Sequence, residues 1–175
     1  MPWSRKRRVD DDPALNRRAA AGDQRAFAEL VGRHEAGLRS FLMRVAGVAA
    51  DDIAQEAFLR AWRRAAQFDG RGSYAAWLRA IGWRTFLDRH RHERSRQRTI
   101  AEVSIVPDAA DTGIEARIDA TTLLAALDPL ERACITLCLG EGRSHREAAE
   151  ILAMPLGSLK TRLARAVRQC RAMLE

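Results

Sequence analysis

The segment from Ser144 to Arg171 constrains the fold of this chain most, because its residue pattern specifies two short helices and the turn between them. Ser144 is a good N-cap, and Glu147 follows three residues later, which completes a capping box. Pro155 cannot donate a hydrogen bond to the preceding turn, so it ends the first helix. The second helix is expected to start near Leu156. A short helix, a tight turn and a second helix are typical of a helix-turn-helix.

The second helix of this segment is predicted to have one apolar face and one basic face. Its buried stripe, at helical spacing, consists of Leu159, Leu163, Val167, Cys170 and Leu174. The other face carries Ser158, Lys160, Thr161, Arg162, Arg165 and Arg168. Hydroxyl groups among cations suit phosphates and base edges, so this pattern favours binding to duplex DNA. The alternative is an ordinary helical hairpin with a solvated basic face.

The composition favours an all-α protein with a polyanionic partner. The chain has 175 residues, which is room for one or two small domains. Ala, Leu, Arg and Glu dominate and favour helices, and a net charge of +7 points to nucleic acid. No apolar run is long enough to span a bilayer, and the basic N-terminus lacks the apolar stretch of a signal peptide. A cytoplasmic location without membrane insertion is therefore expected.

The sequence predicts neither an enzyme nor a metal or cofactor site. Cys134, Cys138 and Cys170 lie on apolar helix faces, where buried free thiols are expected. A metal site would need further ligands nearby, and none is evident. Nor does the sequence contain a nucleophile paired with a base, paired carboxylates or a phosphate-binding loop.

Changes in charge and the positions of proline and glycine along the chain predict four segments. These are a mobile charged tail (1–13), an N-terminal helical domain (14–98), a flexible acidic linker (99–119) and a C-terminal helix-turn-helix domain (120–175). The linker carries five acidic residues against one arginine and is interrupted by Pro107 and Gly113. In the C-terminal domain, Asp128 and Pro129 form the start of a capped helix. The prediction is thus two small helical domains, both basic, with an acidic connection.

Local signals also place helices in the N-terminal domain. Asp23 is predicted to cap a long helix that ends at Gly47. Asp51 opens the next helix, and Ser73 can cap a third. His34 lies on the apolar stripe of the first helix, where we expect a packed, hydrogen-bonded histidine rather than a ligand.

The outer edge of the second helix is acidic and rich in amide groups, although the protein as a whole is basic. Asp52, Gln55, Glu56 and Leu59 line this edge. A polar edge of this kind is usually just solvated. The charge of this edge is opposite in sign to the net charge of the chain. This instead suggests a docking surface for a basic protein partner rather than for DNA.

The third helix, expected from Tyr74 to about His92, combines aromatic residues with arginines that are dense between positions 79 and 98. Such a mixture suits a single strand, because bases stack on rings and phosphates contact cations. The alternative is that the rings are core and the arginines are solvated. We predict a core position for Trp77, while Tyr74 and Trp83 remain equally compatible with either environment.

Motifs of three kinds follow one another along the chain: DIAQEAFLRAW at residues 52–62, FDGRGSYAAWLRAI at 68–81, and the pair LDPLER at 127–132 and PLGSLKTRLARA at 155–166. Together they resemble the extracytoplasmic-function class of bacterial sigma factors over roughly residues 14–175. The first resembles the family's helix that binds the clamp helices of the largest RNA polymerase subunit. The second resembles the segment that melts and reads the −10 element, and the last pair resembles the −35-binding domain.

The resemblance implies a function and three sets of site residues. The chain would bind core RNA polymerase, direct it to specific promoters and assist melting; its partners would be duplex and single-stranded promoter DNA and an anti-sigma factor. The residues that bind core polymerase would be Asp52, Gln55, Glu56, Leu59 and Trp62. Those that bind the −10 strand would be Arg71, Ser73, Tyr74, Arg79, Trp83 and Arg84. Those that bind the −35 duplex would be Ser158, Lys160, Thr161, Arg162 and Arg165.

Other classes of function explain less of the sequence. A stand-alone helix-turn-helix regulator would account for the C-terminal domain, but not for the helix at 52–62 or the arginine-rich stretch. An RNA-binding protein or a nucleic-acid enzyme would account for the charge, but the sequence lacks catalytic residues. One departure from the sigma pattern is Arg84, which stands where the family often has Asn beside the pocket for a flipped promoter base.

Overall fold

The computed structural model describes residues 12–101 and 120–174. These ranges contain the helices α1 (Asp12–Ala20), α2 (Gln24–Ala46), α3 (Ala50–Arg63), α4 (Tyr74–Ala101), α5 (Ala120–Ala125), α6 (Pro129–Ile135), α7 (His145–Ile151) and α8 (Leu156–Ala172). Short 3₁₀ turns at Gly47–Ala49 and Ala65–Gln67 and a π-helical turn at Thr136–Gly140 connect some of them. Within the described ranges there is no strand, so the prediction of an all-α fold is confirmed.

Helix α1 was not predicted, and it begins inside the segment expected to be a tail. Asp12 is only 1% exposed, and its carboxylate contacts Arg33 Nη1 at 3.1 Å and His34 Nε2 at 2.7 Å. A buried carboxylate needs such partners to offset its desolvation. The predicted tail therefore extends too far, because Asp12 and Pro13 belong to the folded body; residues 1–11 lie outside the described residues. The same contact confirms His34 as a packed, hydrogen-bonded histidine.

The predicted ends of α2 are confirmed by their capping geometry. Asp23 accepts hydrogen bonds through Oδ1 from the backbone N–H groups of Arg25 and Ala26, at 3.0 and 3.1 Å. Gly47, with a φ of 58°, follows the last residue of the helix. The next helix, α3, begins at Ala50, one residue earlier than predicted. The 3₁₀ turn Gly47–Ala49 connects α2 to α3, and the two helices pack against each other.

A continuous hydrophobic core runs through both halves of the described chain. Helix α2 lies at its centre and packs against α1, α3 and α4, and also against α6 of the C-terminal half. The core residues of α2 are Ala26, Leu30, Leu38, Phe41, Leu42 and Val45. The same cluster includes Leu137, Ile151 and Leu159, which follow the segment predicted as a linker. The two predicted domains are therefore in direct contact in this structure.

The C-terminal half contains the predicted helix-turn-helix. The Ser144 hydroxyl accepts a hydrogen bond from the Glu147 N–H at 3.2 Å, and the Ser144 N–H donates to the Glu147 carboxylate at 3.0 Å, which confirms the capping box. Helix α8 begins at Leu156, as predicted. Its inner face buries Leu159, Leu163 and Ala166. The prediction for Leu174 is wrong: this residue lies beyond the end of α8 and is 61% exposed.

Helix α4 is longer than the sequence predicted. It runs to Ala101, past the expected end near His92 and into the segment 99–119 that was interpreted as a linker. The rest of that segment, residues 102–119, lies outside the described residues. None of the described helices is long and apolar enough to cross a membrane.

Candidate protein and nucleic-acid interfaces

The acidic edge of α3 borders an apolar groove formed with α2. Asp52, Gln55 and Leu59 are exposed, and the Leu59 side chain is unusually accessible for a leucine, at 53%. The groove has a volume of about 430 Å³. Its apolar lining is Phe27, Val31, Ala54, Phe58 and Leu59, and its polar lining is Glu35, Arg39, Asp51 and Gln55. Arg39 pairs with Asp51 at 2.8 Å, so part of this border is paired internally. An apolar groove with polar and charged residues at its border can accept the apolar side of an amphipathic helix.

Glu56 and Trp62 of the predicted protein-docking set have close internal partners. Glu56 is half-buried and pairs with Arg60 at 2.6 Å, and Arg60 also contacts Asp88 at 2.8 Å. Trp62 is half-buried with its ring centroid 5.0 Å from that of Phe27. These contacts link the edge to α2 and α4, so Trp62 contributes to packing beneath the groove.

The structure divides the residues predicted for single-strand binding into exposed and buried sets. Arg71 and Arg84 are exposed, and Ser73 and Arg79 are partly buried. Ser73 caps α4 as predicted, since its hydroxyl accepts a hydrogen bond from the Ala76 N–H at 3.1 Å. The exposed arginines are positioned by the loop before α4 and by the third turn of that helix.

Tyr74 and Trp83 are each 2% exposed, so both lie in the core, which is one of the two environments that the sequence left open. The Tyr74 ring lies between Phe68 and His34, with centroid separations of 5.4 and 5.1 Å. Trp83 stacks on Phe86 at 5.4 Å. Because both side chains are buried, neither residue presents a surface to a base in this structure. Burial also raises the pKa of the Tyr74 hydroxyl.

Trp77 deviates from the sequence prediction. It was expected in the core but is half-buried, and it lines a groove between α4 and α7. Its ring contacts Phe68 and Tyr74, each with a centroid separation of 5.4 Å. Sequence reasoning missed it because an aromatic residue on the apolar stripe of a helix resembles core. Trp77 is therefore the aromatic residue beside the exposed arginines.

The groove between α4 and α7 is lined from both halves of the chain. Arg71, Ser73, Trp77 and Arg84 line it from the N-terminal half, and Glu147, Glu150 and Ile151 line it from the C-terminal half. At the same junction, Arg79 Nε contacts the Glu141 carboxylate at 2.8 Å, and the two side chains are only 11% and 14% exposed. The face predicted to bind a single strand thus lies directly against the helix-turn-helix.

The basic face of α8 is accessible. Ser158, Lys160, Thr161 and Arg165 are exposed, and Arg162 is partly buried. The Thr161 hydroxyl donates to the Gly157 carbonyl at 3.1 Å, which leaves its oxygen lone pairs available as acceptors. The face therefore offers donors and acceptors in the combination that base edges and phosphates require.

Glu131 of α6 and Asp128, which caps that helix, contact two of the arginines of α8, and sequence reasoning missed both contacts. Glu131 is 2% exposed, and its Oε1 lies 3.1 Å from Arg165 Nε. Asp128 lies 3.7 Å from Arg162 Nη1 through Oδ2, while its Oδ1 caps α6. An ion pair through Nε leaves the terminal nitrogens of Arg165 for other partners.

The described residues hold no group of three or more side chains suited to a metal ion. Cys134, Cys138 and Cys170 are free thiols; the first is buried and the others are partly buried. Burial raises the pKa of Cys134 to about 12, so this thiol is protonated at neutral pH.

Family models and curated relatives match the chain over the same segments. Residues 30–96 match sigma-70 region 2, and residues 117–170 match sigma-70 region 4. The ECF RNA polymerase sigma factor SigK of Mycobacterium tuberculosis is 35% identical over 177 residues, which cover 94% of this chain and 94% of the relative. SigC of the same species is 34% identical over 158 residues, or 87% and 85% of the two chains.

Solved structures have the same fold. The structure of CnrH in complex with the cytosolic domain of CnrY matches 94% of this chain and 97% of that one, with 30% identity and a TM-score of 0.66. The sigma factor RpoE of Bartonella quintana, in complex with the anti-sigma factor NepR, has a TM-score of 0.68 at 23% identity, covers 85% and 96% of the two chains, and supports the fold alone. On the evidence of the SigK relative and of the region 2 and region 4 matches, the chain belongs to the ECF class of RNA polymerase sigma factors.

Proposed function

We propose that this sigma factor uses three separate surfaces: the groove and acidic edge of α2 and α3 for core RNA polymerase, the exposed face of α4 for the −10 strand, and the basic face of α8 for the −35 duplex. The supporting observation is that one chain exposes an acidic protein-docking edge and a basic nucleic-acid face on different helices. RNA synthesis itself would be performed by the polymerase. Membership of the sigma family disfavours a stand-alone regulator, which would not need the α3 edge.

The domain boundaries and the further partner are part of the same proposal. An N-terminal domain ending near residue 98 would hold the first two surfaces, and a C-terminal domain from residue 120 would hold the third. Because RpoE has been solved in complex with the anti-sigma factor NepR, and CnrH in complex with the cytosolic domain of CnrY, an anti-sigma factor is proposed as a partner of this chain as well. The internal contact between the two halves leaves the α2–α3 groove and the face of α8 open to such partners.

Core docking is supported by the chemistry of the groove. Burial of Leu59 and the other apolar lining residues against a partner would stabilise the complex by about 25 cal/mol per Å² of apolar surface removed from water. Asp52 and Gln55 stand exposed beside it and can pair with a basic partner. Asp52 has a long contact of 3.6 Å with Arg89, an exposed pair that a stronger partner can replace.

The docking test is Gln55→Ala combined with Glu56→Ala. Affinity for core polymerase should fall by roughly 1–3 kcal/mol, because contacts with a charged group are lost, while helical content should persist since alanine is the best helix former. The matched control is Gln67→Ala with Glu29→Ala, two exposed positions outside the groove. Equal affinities of the two double variants for core polymerase would remove the docking assignment.

Duplex binding is tested at Arg165, with Arg168 as its matched control on the same helix. Both arginines are exposed, but only Arg165 is held by a buried carboxylate, that of Glu131. Arg165→Ala should cost about 1–3 kcal/mol on the cognate −35 sequence and relax preference at one base. Arg168→Ala should leave base preference unchanged. A uniform loss on every duplex for Arg165→Ala would indicate a phosphate contact instead.

Strand capture is tested at Arg84, which is exposed beside Trp77. Arg84→Ala should reduce run-off transcription from duplex promoters, and a premelted template should restore most of it if the defect lies in melting. A residual defect on the premelted template would show that the residue also contacts a base. Full activity on linear duplex DNA at low temperature, where melting is hardest, would contradict the assignment.

A further inference from the structure

We infer that Glu131 is a positioning residue for −35 recognition: its buried carboxylate fixes the direction of the Arg165 side chain, and thereby the base pair that α8 discriminates. The inference rests on the proposed role of the α8 face in duplex binding. It adds that base preference depends on a residue of α6 that lies beneath this face. Because Glu131 is only 2% exposed, it acts through Arg165 and not by touching a base.

The contact between the two residues runs from the interior of the C-terminal half to its basic face. Helices α6 and α8 pack against each other, and Glu131 is the third residue of α6. Its Oε1 lies 3.1 Å from Nε of Arg165, whose side chain is 68% exposed. One end of the pair is therefore enclosed by the packing of the helices, while the other end stands on the surface proposed to contact DNA.

The position of the contact on the guanidinium group determines what Arg165 can still bind. The group is planar, and its N–H donors point in fixed directions. A carboxylate at Nε occupies the donor nearest the aliphatic stem and leaves both terminal nitrogens for two acceptors on one base edge. An arginine without such a partner would lose more rotamer freedom when it binds a base. Glu131 should therefore increase discrimination between bases.

Arg165 is singled out among the cations of α8. Arg162 also has an acidic neighbour, Asp128, but their separation is 3.7 Å, and the Asp128 side chain is 43% exposed and caps α6 through its other oxygen. Of the described cations of α8, only Arg165 pairs with a buried carboxylate. A buried partner for one arginine is expected where the direction of that side chain matters, and not where a basic face only attracts phosphates.

The stability of the fold does not account for a carboxylate at this position. Oε1 of Glu131 receives no aligned hydrogen bond within the described residues, although Arg165 lies beside it. A buried carboxylate in this state costs free energy, and an apolar side chain of similar volume often costs less. Because the Arg165 guanidinium is exposed, it can rotate, and a base that binds its terminal nitrogens would align Nε with Oε1. The buried charge would then be satisfied in the DNA-bound state.

The experiment compares reconstituted holoenzymes on a duplex fragment from which the wild-type holoenzyme starts run-off transcription, with each −35 base pair replaced in turn. A bidentate base contact gives roughly 5- to 150-fold discrimination at its position. Glu131→Gln keeps the side-chain size but removes the charge. It should reduce discrimination by about threefold to tenfold at the position where Arg165→Ala relaxes it. Glu131→Leu, which also removes the acceptor, should reduce discrimination at least as much.

Two further measurements separate positioning from a structural role. In the Arg165→Ala background, Glu131→Gln should have no additional effect on base preference, because it acts through that side chain. In urea unfolding, Glu131→Gln and Glu131→Leu should be no less stable than wild type, because the arginine that remains is solvated and no buried charge is left unpaired. A role in stabilising the N-terminal end of α6 predicts the reverse, namely lower stability with base preference intact, and this result would overturn the inference.

The matched control is Glu150→Gln, which makes the same change of charge at an exposed position of α7 and should affect all duplexes alike. If Glu131→Gln shows the same base preference as this control while Arg165→Ala relaxes it, the inference is overturned and the proposed duplex function stands. If Arg165→Ala also leaves base preference unchanged, the proposed role of Arg165 fails, and the inference fails with it. An effect of Glu131→Gln on base preference that persists without Arg165 equally overturns it.

Discussion

Substitution of Trp83 tests whether this residue belongs to the core or contacts DNA. Its side chain is 2% exposed and stacks on Phe86, whose ring stacks in turn on His90 at 5.5 Å. Trp83→Ala removes this buried ring, and truncation of a buried aromatic typically costs about 3–5 kcal/mol. Proteins of this size are stable by only about 5–15 kcal/mol. A large part of the total stability would therefore be lost.

The assay is urea unfolding followed by circular dichroism, together with run-off transcription on duplex and premelted promoters. Trp83→Phe keeps an aromatic ring in the site and should lose less of the free energy of unfolding than Trp83→Ala. Arg84→Ala, at the exposed neighbouring position, should change the free energy of unfolding by no more than about 0.5 kcal/mol. Trp83→Ala should lower activity on both templates alike, in proportion to the folded fraction.

The opposite pattern would refute this reasoning. A Trp83→Ala protein whose free energy of unfolding lies within about 1 kcal/mol of the wild-type value would not have lost a core residue. If that protein also failed on duplex promoters but worked on premelted ones, Trp83 would be a strand contact. The burial seen here would then not represent the state that binds DNA.

Three further predictions concern stability and thiol reactivity. In Gly82→Ala, the added Cβ would lie 2.9 Å from a buried leucine methyl of α2. This overpacking should lower the free energy of unfolding in urea by roughly 1–3 kcal/mol, partly offset by the higher helix propensity of alanine. Gly32→Ala, with open space around it, should be stabilising. The pKa of Glu147 is lowered first by the hydrogen bond from the Ser144 hydroxyl and then by that from the Ser144 N–H. The ionised Glu147 side chain therefore stabilises the fold at neutral pH, and this stabilisation is lost as the pH falls below about 4.3. Wild type should lose more stability in acid than Glu147→Gln, and equal losses would contradict this. Cys134, with its pKa raised to about 12, should resist iodoacetamide in the native protein and react on unfolding, as followed by mass spectrometry; rapid native labelling would show that it is not buried.

The features that the sequence determined by itself are those that depend on a few consecutive residues. The caps formed by Asp23, Asp128 and Ser144 are all present in the structure, because each one joins a side chain to an N–H group two or three residues away. The two faces of α8 were predictable for a similar reason, since the helical period alone sorts its residues. Motif order and spacing sufficed for the family.

The tertiary structure decided what depends on distant neighbours. Whether Tyr74 was core or a stacking platform depended on His34, 40 residues earlier, which covers its ring. The Glu131–Arg165 and Arg79–Glu141 pairs join residues 34 and 62 positions apart, and no periodicity encodes such a distance. Burial and ion pairing are set by which surfaces meet once the helices pack, so the sequence could place the arginines on their helices but could not identify the groups that hold or cover them.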